Sequence, residues 1–184
     1  MPSYDRWPAE FPPLAAAVLA AAERVGADYV LLGNMYGYGL AGGPVTEDRP
    51  MAPSSVKGRV RVRMWEDARA AYEAGRVRVT EVRASDFLGF DAVSLFTLFV
   101  APEVLAGTPV AYPGDLDVPH SWSYVGDVAR VLVAAALHEW SWRRAWHVPS
   151  TSELSVRLPG RGGGRAEARV VTADRGGAGA VGTG

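Results

Sequence analysis

Short β-prone runs alternate with longer helical segments along most of this chain, and that alternation constrains its fold more than any other feature. FPPLAAAVLAAAERVG (11–26) reads as a helix, opened by a Pro pair, rich in Ala and closed by Gly26, with Leu14, Val18 and Val25 on one stripe. DYVLL (28–32) is short, apolar and β-prone, as a buried strand is. A long irregular stretch packed with Gly, Pro and Ser follows, the kind of segment that inside a compact domain is commonly either functional or disordered. Helical order returns over 57–75, where Val60, Met64, Ala68 and Ala71 share a face and Gly75 is the stop. RVRVTEV (76–82) alternates strictly, as a strand does. A third helix is expected over about 91–106 and short extended pieces at TPVAYP and around 122–125. Asp127 is the expected cap of GDVARVLVAAALHE, whose Val128, Val131, Leu132, Ala135 and Ala136 recur at helical spacing, and AWHV is a final strand. The order predicts strands 28–32 and 76–82 adjacent and parallel, joined by a helical crossover, in an α/β layered domain with a largely parallel sheet.

Composition narrows the function classes. At 184 residues there is room for one domain, expected over 11–155, with a lead-in at 1–10 and a Gly/Arg-rich tail at 156–184 too poor in large apolar side chains to order itself. The net charge of -1 supplies no general field for nucleic acid or an anionic membrane. The absence of cysteine removes disulfides, thiolate metal sites and cysteine nucleophiles, and fits a reducing cytoplasm. No run reaches the roughly 18 apolar residues of a membrane span. The histidines at 120, 138 and 147 fall on separate elements, without metal-ligand spacing. Every basic residue but one is Arg, and the exception is Lys57. A lone lysine marks either a position that needs a compact ammonium or an ordinary helix-start residue.

Five segments in order carry a resemblance. Leu31-Leu32-Gly33-Asn34-Met35-Tyr36-Gly37 is a strand ending in a tyrosine-bearing turn; GPVTEDRP is an acidic loop; Lys57 opens a helix; RASDFLG (83–89) looks like a strand-end Arg-x-x-Asn-x-x-Gly segment; HSWSYVGDVARVLVAAAL resembles a strand followed by an Asp-capped helix. Together, over about residues 4–150, they resemble the extended short-chain dehydrogenase/reductases of the NAD-dependent epimerase/dehydratase family. The resemblance implies a Rossmann-like, doubly wound parallel sheet and NAD or NADP as cofactor. It implies a small carbonyl or sugar-like substrate, and a homodimer through helices 11–25 and 58–75. It assigns Lys57 and Tyr36 as candidate catalytic groups, Lys57, Ala84 and Ser85 as cofactor-binding, and Asn34, Asp86 and His120 as substrate-binding.

The departures shape the expectation as much. Family members begin with a strand, a Gly-rich turn and a helix that hold the dinucleotide pyrophosphate. Nothing before Phe11 resembles that unit, so the chain reads as a partial Rossmann-like domain, truncated at its N-terminus, with weak dinucleotide binding. The family tyrosine four residues before the lysine is replaced by Pro53, and the substrate-holding Ser or Thr by Leu32. Tyr36 is the substitute phenol nearest in motif order. His120 stands where many members that act on sugar nucleotides carry a phosphate-gripping arginine, which argues against a sugar-nucleotide substrate. Two readings stay open: an epimerase/dehydratase-type oxidoreductase, impaired or inactive as this chain, and a non-catalytic binding or partner-interaction module on a degenerate Rossmann-like scaffold. A dinucleotide-binding redox sensor is a third, opposed by the missing Gly-rich turn.

Overall fold

The computed structural model describes residues 4–112, 115–156 and 170–172. Helix α1 spans Trp7–Val25 and leads into strand β1 (Tyr29–Asn34), a one-turn 3-10 helix at Met35–Tyr38, and helix α2 (Val56–Glu73). Strands β2 (Val79–Ala84) and β3 (Asp86–Leu88) follow, then a π-helical turn at Phe96–Val100 that runs into α3 (Ala101–Ala106). The remainder holds β4 (Val110–Tyr112), β5 (Trp122–Tyr124), α4 (Val125–Leu137), β6 (Ala145–His147) and β7 (Val170–Thr172).

The main sheet has the order β1-β2-β6, all parallel, with Tyr29 opposite Val79 and Asn34 opposite Ala84. The expected parallel pairing of the first two long strands is therefore present, with α2 as the crossover. Successive residues of β2 face opposite sides of the sheet. Val79 packs with Leu31, Trp65, Ala68 and Ala71 under α1 and α2, whereas Val82 and Ala84 pack with Val128 and Ala135 of α4. Helices thus cover both faces, which makes the sheet doubly wound. Arg78, just before β2, donates to Asp28 at 2.6 and 2.8 Å and to Glu139 at 2.9 Å, tying the entry of β2 to the entry of β1 and the chain beyond α4.

Several local expectations are revised. Helix α1 begins at Trp7, four residues before the expected start at Phe11, because Pro8 fits the first turn and the helix runs on through Pro12 and Pro13. Its buried residues are Trp7, Phe11 and Ala22; Leu14, Val18 and Val25 are 53%, 46% and 75% exposed. Trp7, Phe11, Leu19 and Ala22, not the stripe of Leu14, Val18 and Val25, pack with residues of α2. Strand β2 lies three residues later than expected and is buried along its whole length, so its alternation does not separate core from solvent: Glu81 and Arg83 are each 4% exposed. Asp127 is not the cap of α4. Tyr124 holds that position, and Asp127 sits in the first turn, 2.5 Å from Arg130, where its charge still complements the helix dipole. The expected disordered tail falls largely outside the described residues; within it, Val170–Thr172 pairs in parallel with β4.

Candidate functional site

The ends of β1 and β2 place the candidate residues side by side, since Asn34 and Ala84 are register partners at the C-terminal edge of the parallel sheet. In open α/β sheets ligands bind outside this edge. Here a cavity of about 370 Å³ opens there, and Asn34, Tyr36, Ala84, Ser85, Asp86 and His120 all line it. Six of the seven residues singled out in the sequence thus share one pocket. The seventh, Lys57, is not among the residues that line it; it lies in the first turn of α2 with Nζ 4.9 Å from the centroid of the Tyr36 ring.

Local chemistry explains each placement. The Asn34 side chain caps the 3-10 turn, its Oδ1 accepting from the Tyr36 N–H at 3.2 Å, and so turns the chain off the strand with Tyr36 over the pocket. Ser55 caps α2, its Oγ accepting from the Gly58 N–H at 3.1 Å, which fixes Lys57 two residues beyond that cap, inside the first turn. Pro53 lies before the helix starts at Val56, so the position that would carry the family phenol is off the helix as well as without a hydroxyl. Leu32 is on β1 and has no polar atom to offer a substrate. The Ser85 N–H donates to Ser123 Oγ at 3.0 Å, which leaves the Ser85 side chain for the pocket. Asp86 and His120, 34 positions apart, meet at 3.0 Å through Oδ2 and Nε2, and the His120 ring lies edge-on to Trp122 at 4.6 Å. Gly89 closes the RASDFLG segment at φ 125, where a Cβ would also stand 2.7 Å from Val125 Cγ2. That position requires glycine on both counts.

Beneath the turn lies a buried polar chain. Arg83 donates from Nε to Glu81 Oε2 at 2.7 Å and from Nη1 to the Tyr38 hydroxyl at 2.5 Å, and that hydroxyl is 2.7 Å from His147 Nε2. Burial pushes the Glu81 carboxyl above its ordinary value, with Arg83 opposing. Burial holds the His147 imidazole below its ordinary value, with Glu47 opposing and Arg83 reinforcing. A backbone bond from His147 to Glu47 and the surrounding cations outweigh burial at Glu47, whose carboxyl lies below its usual range.

Sequence reasoning missed three residues here. Trp7 and Arg61 line the pocket, the guanidinium 4.9 Å from the Trp7 and Phe11 ring centroids and donating to the Leu32 carbonyl at 3.4 Å; Ser123 orients Ser85 from β5. Trp7 was legible in principle, four residues before Phe11 on one helical stripe. Arg61 was hidden among eighteen arginines.

A parallel sheet covered by helices on both faces, with a pocket at the carboxyl edge of its strands, defines a Rossmann-like, doubly wound α/β protein. The sequence model of the NAD dependent epimerase/dehydratase family matches residues 14–144, and the chain belongs to that family. No curated protein matches. Among solved structures, the dTDP-glucose 4,6-dehydratase of Bacillus anthracis in complex with NAD is 21% identical with a TM-score of 0.68, over 77% of this chain and 46% of that one. The UDP-glucose 4-epimerase of Thermus thermophilus with NAD is 20% identical, TM-score 0.64, over 78% and 49%. The UDP-glucuronic acid 4-epimerase of Bacillus cereus with NAD is 18% identical, TM-score 0.70, over 77% and 47%. At these identities the likeness is one of fold, and the chain spans about half the length of the structures it matches. Among the described residues no helix is long and apolar enough to cross a membrane.

Proposed function

We propose that the pocket at the ends of β1 and β2 takes the nicotinamide end of NAD or NADP together with a small carbonyl or sugar-like substrate. The observation that carries this reading is the convergence of Asn34, Tyr36, Ser85, Asp86 and His120 on one cavity, with the Lys57 ammonium against Tyr36. The donor set is compatible with a ribose and a carboxamide: the Tyr36 phenol and the Ser85 hydroxyl belong to residues that line the cavity, and the Lys57 ammonium lies against Tyr36. It does not extend to a pyrophosphate, since no Gly-rich turn opening a helix adjoins the pocket among the described residues.

When bound, the nicotinamide ring supplies hydride exchange with the substrate. Lys57 would hold the ribose hydroxyls beside Tyr36. Tyr36, whose ring face meets the ammonium, is the group that gives or takes a proton at the substrate oxygen. Asn34 and the Asp86–His120 pair orient the rest of the substrate. The relay is impaired, because Leu32 offers no hydroxyl to the reacting oxygen and Pro53 no phenol beside the lysine. Those same two residues favour a second reading, a binding module that retains the pocket without turnover.

Titration calorimetry of NADH on the whole chain tests the proposal. A dissociation constant near millimolar, about -4 kcal/mol, is expected, weakened further by Lys57→Ala. Binding left unchanged by Lys57→Ala would place the cofactor elsewhere and overturn it. Turnover of a keto-sugar followed by nicotinamide absorbance separates the two readings.

A further inference from the structure

We propose that Tyr38 is the positioning residue of this pocket and Arg83 its anchor: the pair sets where the Asn34–Tyr36 wall stands without touching a ligand. The inference rests on the pocket assignment above. Tyr36 and Tyr38 are two residues apart in a 3-10 turn, so their side chains leave it in different directions. Tyr36 lines the pocket. Tyr38 is 2% exposed and points into the buried chain, its hydroxyl held between Arg83 Nη1 at 2.5 Å and His147 Nε2 at 2.7 Å.

Arg83 ties together the segments that build the wall. Besides Glu81 and Tyr38 it reaches Met51 Sδ at 3.4 Å, in the loop that leads to Ser55 and Lys57. His147 carries the link onward, its backbone N–H donating to Glu47 Oε1 at 3.1 Å. One guanidinium therefore connects the central strand, the tyrosine turn, the acidic loop and β6. With the imidazole neutral, the bond directions agree: Arg83 donates to the Tyr38 oxygen, and the Tyr38 proton goes to Nε2.

Stability alone does not account for such a cluster. A buried Arg–Glu pair with a phenol and an imidazole is desolvated at a cost that apolar residues of the same volume avoid. What a fully bonded network supplies is a single geometry. That geometry is imposed on the turn whose Tyr36 N–H and Gly39 N–H bonds, to Asn34 Oδ1 and to the Tyr36 carbonyl, shape the pocket wall.

Tyr38→Phe keeps the ring and removes the hydroxyl. Amide hydrogen exchange on the whole chain should speed by about tenfold or more at Tyr36 and Gly39, since the hydroxyl holds two bonds, while the paired amides of β1 and β2 stay within about twofold. His147→Gln, whose amide oxygen still accepts the Tyr38 proton, should keep exchange at the turn near wild type, and His147→Leu, which removes one of the two bonds, should speed it by about tenfold or less, short of Tyr38→Phe. Nicotinamide mononucleotide should bind the loosened variants about tenfold more weakly. Unchanged exchange at the turn in Tyr38→Phe and His147→Leu overturns the proposal, as does acceleration spread evenly over β1 and β2. If the mononucleotide fails to bind even the wild type, the pocket assignment fails, and the exchange pattern still decides the role of Tyr38.

Discussion

Gly58→Ala is the substitution on which ordinary helix rules and this structure disagree in sign. In an exposed helix, glycine to alanine stabilises by about 0.8–1.0 kcal/mol, because alanine loses less backbone entropy on folding. Gly58 is buried in the first turn of α2, and a Cβ built on it would lie 2.4 Å from the Tyr36 carbonyl oxygen and 2.9 Å from Pro53 Cβ. Real contacts of that kind essentially never fall below 3.0 Å, so the Tyr36 backbone or the helix must move by at least 0.6 Å. Neither neighbour is the flexible end of a side chain. Overpacking of this kind costs about 1–3 kcal/mol, which exceeds the propensity gain and leaves a net loss of roughly 0–2 kcal/mol. The displacement also separates Lys57 from Tyr36, since the two sit on opposite sides of the contact. Urea denaturation of wild type, Gly58→Ala and the exposed control Arg63→Ala measures the effect. A gain near 1 kcal/mol for Gly58→Ala would show that the helix does not press on the tyrosine turn, and the pocket geometry would be wrong.

Gly33→Ala should destabilise by about 1–3 kcal/mol in the same assay, because the new Cβ would stand 2.2 Å from Glu81 Oε1 and force the carboxylate off Arg83; a loss under about 0.5 kcal/mol would contradict that. His147, held below its ordinary value, binds fewer protons folded than unfolded as pH drops from about 6.5 toward the folded value, so stability is full above that window and is lost through it. Glu81, raised by burial, acts with the opposite sign over its own range, so the test is the difference between wild type and His147→Gln in urea midpoint at pH 7.5 and 5.5: wild type should lose more, and equal losses would exclude His147 as the cause. The Ala-rich groove between α1 and α2, with Leu14 and Val18 exposed beside it, is expected to pair two copies of the chain; light scattering should give a dimer that Ala16→Arg dissociates, and a monomer at high concentration would refute it.

The parallel sheet was legible because strand and helix alternate with little ambiguity of period, and because the crossover between 28–32 and 76–82 leaves few topologies. The pocket was legible as a set of residues because each belongs to a motif whose order along the chain mirrors the order of strand ends. What escaped was burial. The alternation of RVRVTEV suggests a solvated face, yet β2 is the central strand, and Glu81 and Arg83 neutralise one another beneath α2. Nothing local distinguishes such a pair from surface charges, since its cause is tertiary. The Pro pair misled in the same way: Pro12 and Pro13 read as a helix start, while Trp7 and Phe11, packed on Val60, carry the helix through them.

On the proposed function, the tyrosine turn, the start of α2 and the end of β2 form one ligand site for the nicotinamide end of the cofactor. Chemical-shift mapping of backbone amides during titration with nicotinamide mononucleotide tests it most directly. Shifts should cluster at Asn34–Tyr38, at Ser55–Lys57 and at Ala84–Asp86, saturate near millimolar ligand, and shrink in Lys57→Ala. Shifts confined to the opposite edge of the sheet, around Asp28 and Arg78, or none at the three segments at ligand concentrations well above millimolar, would contradict it.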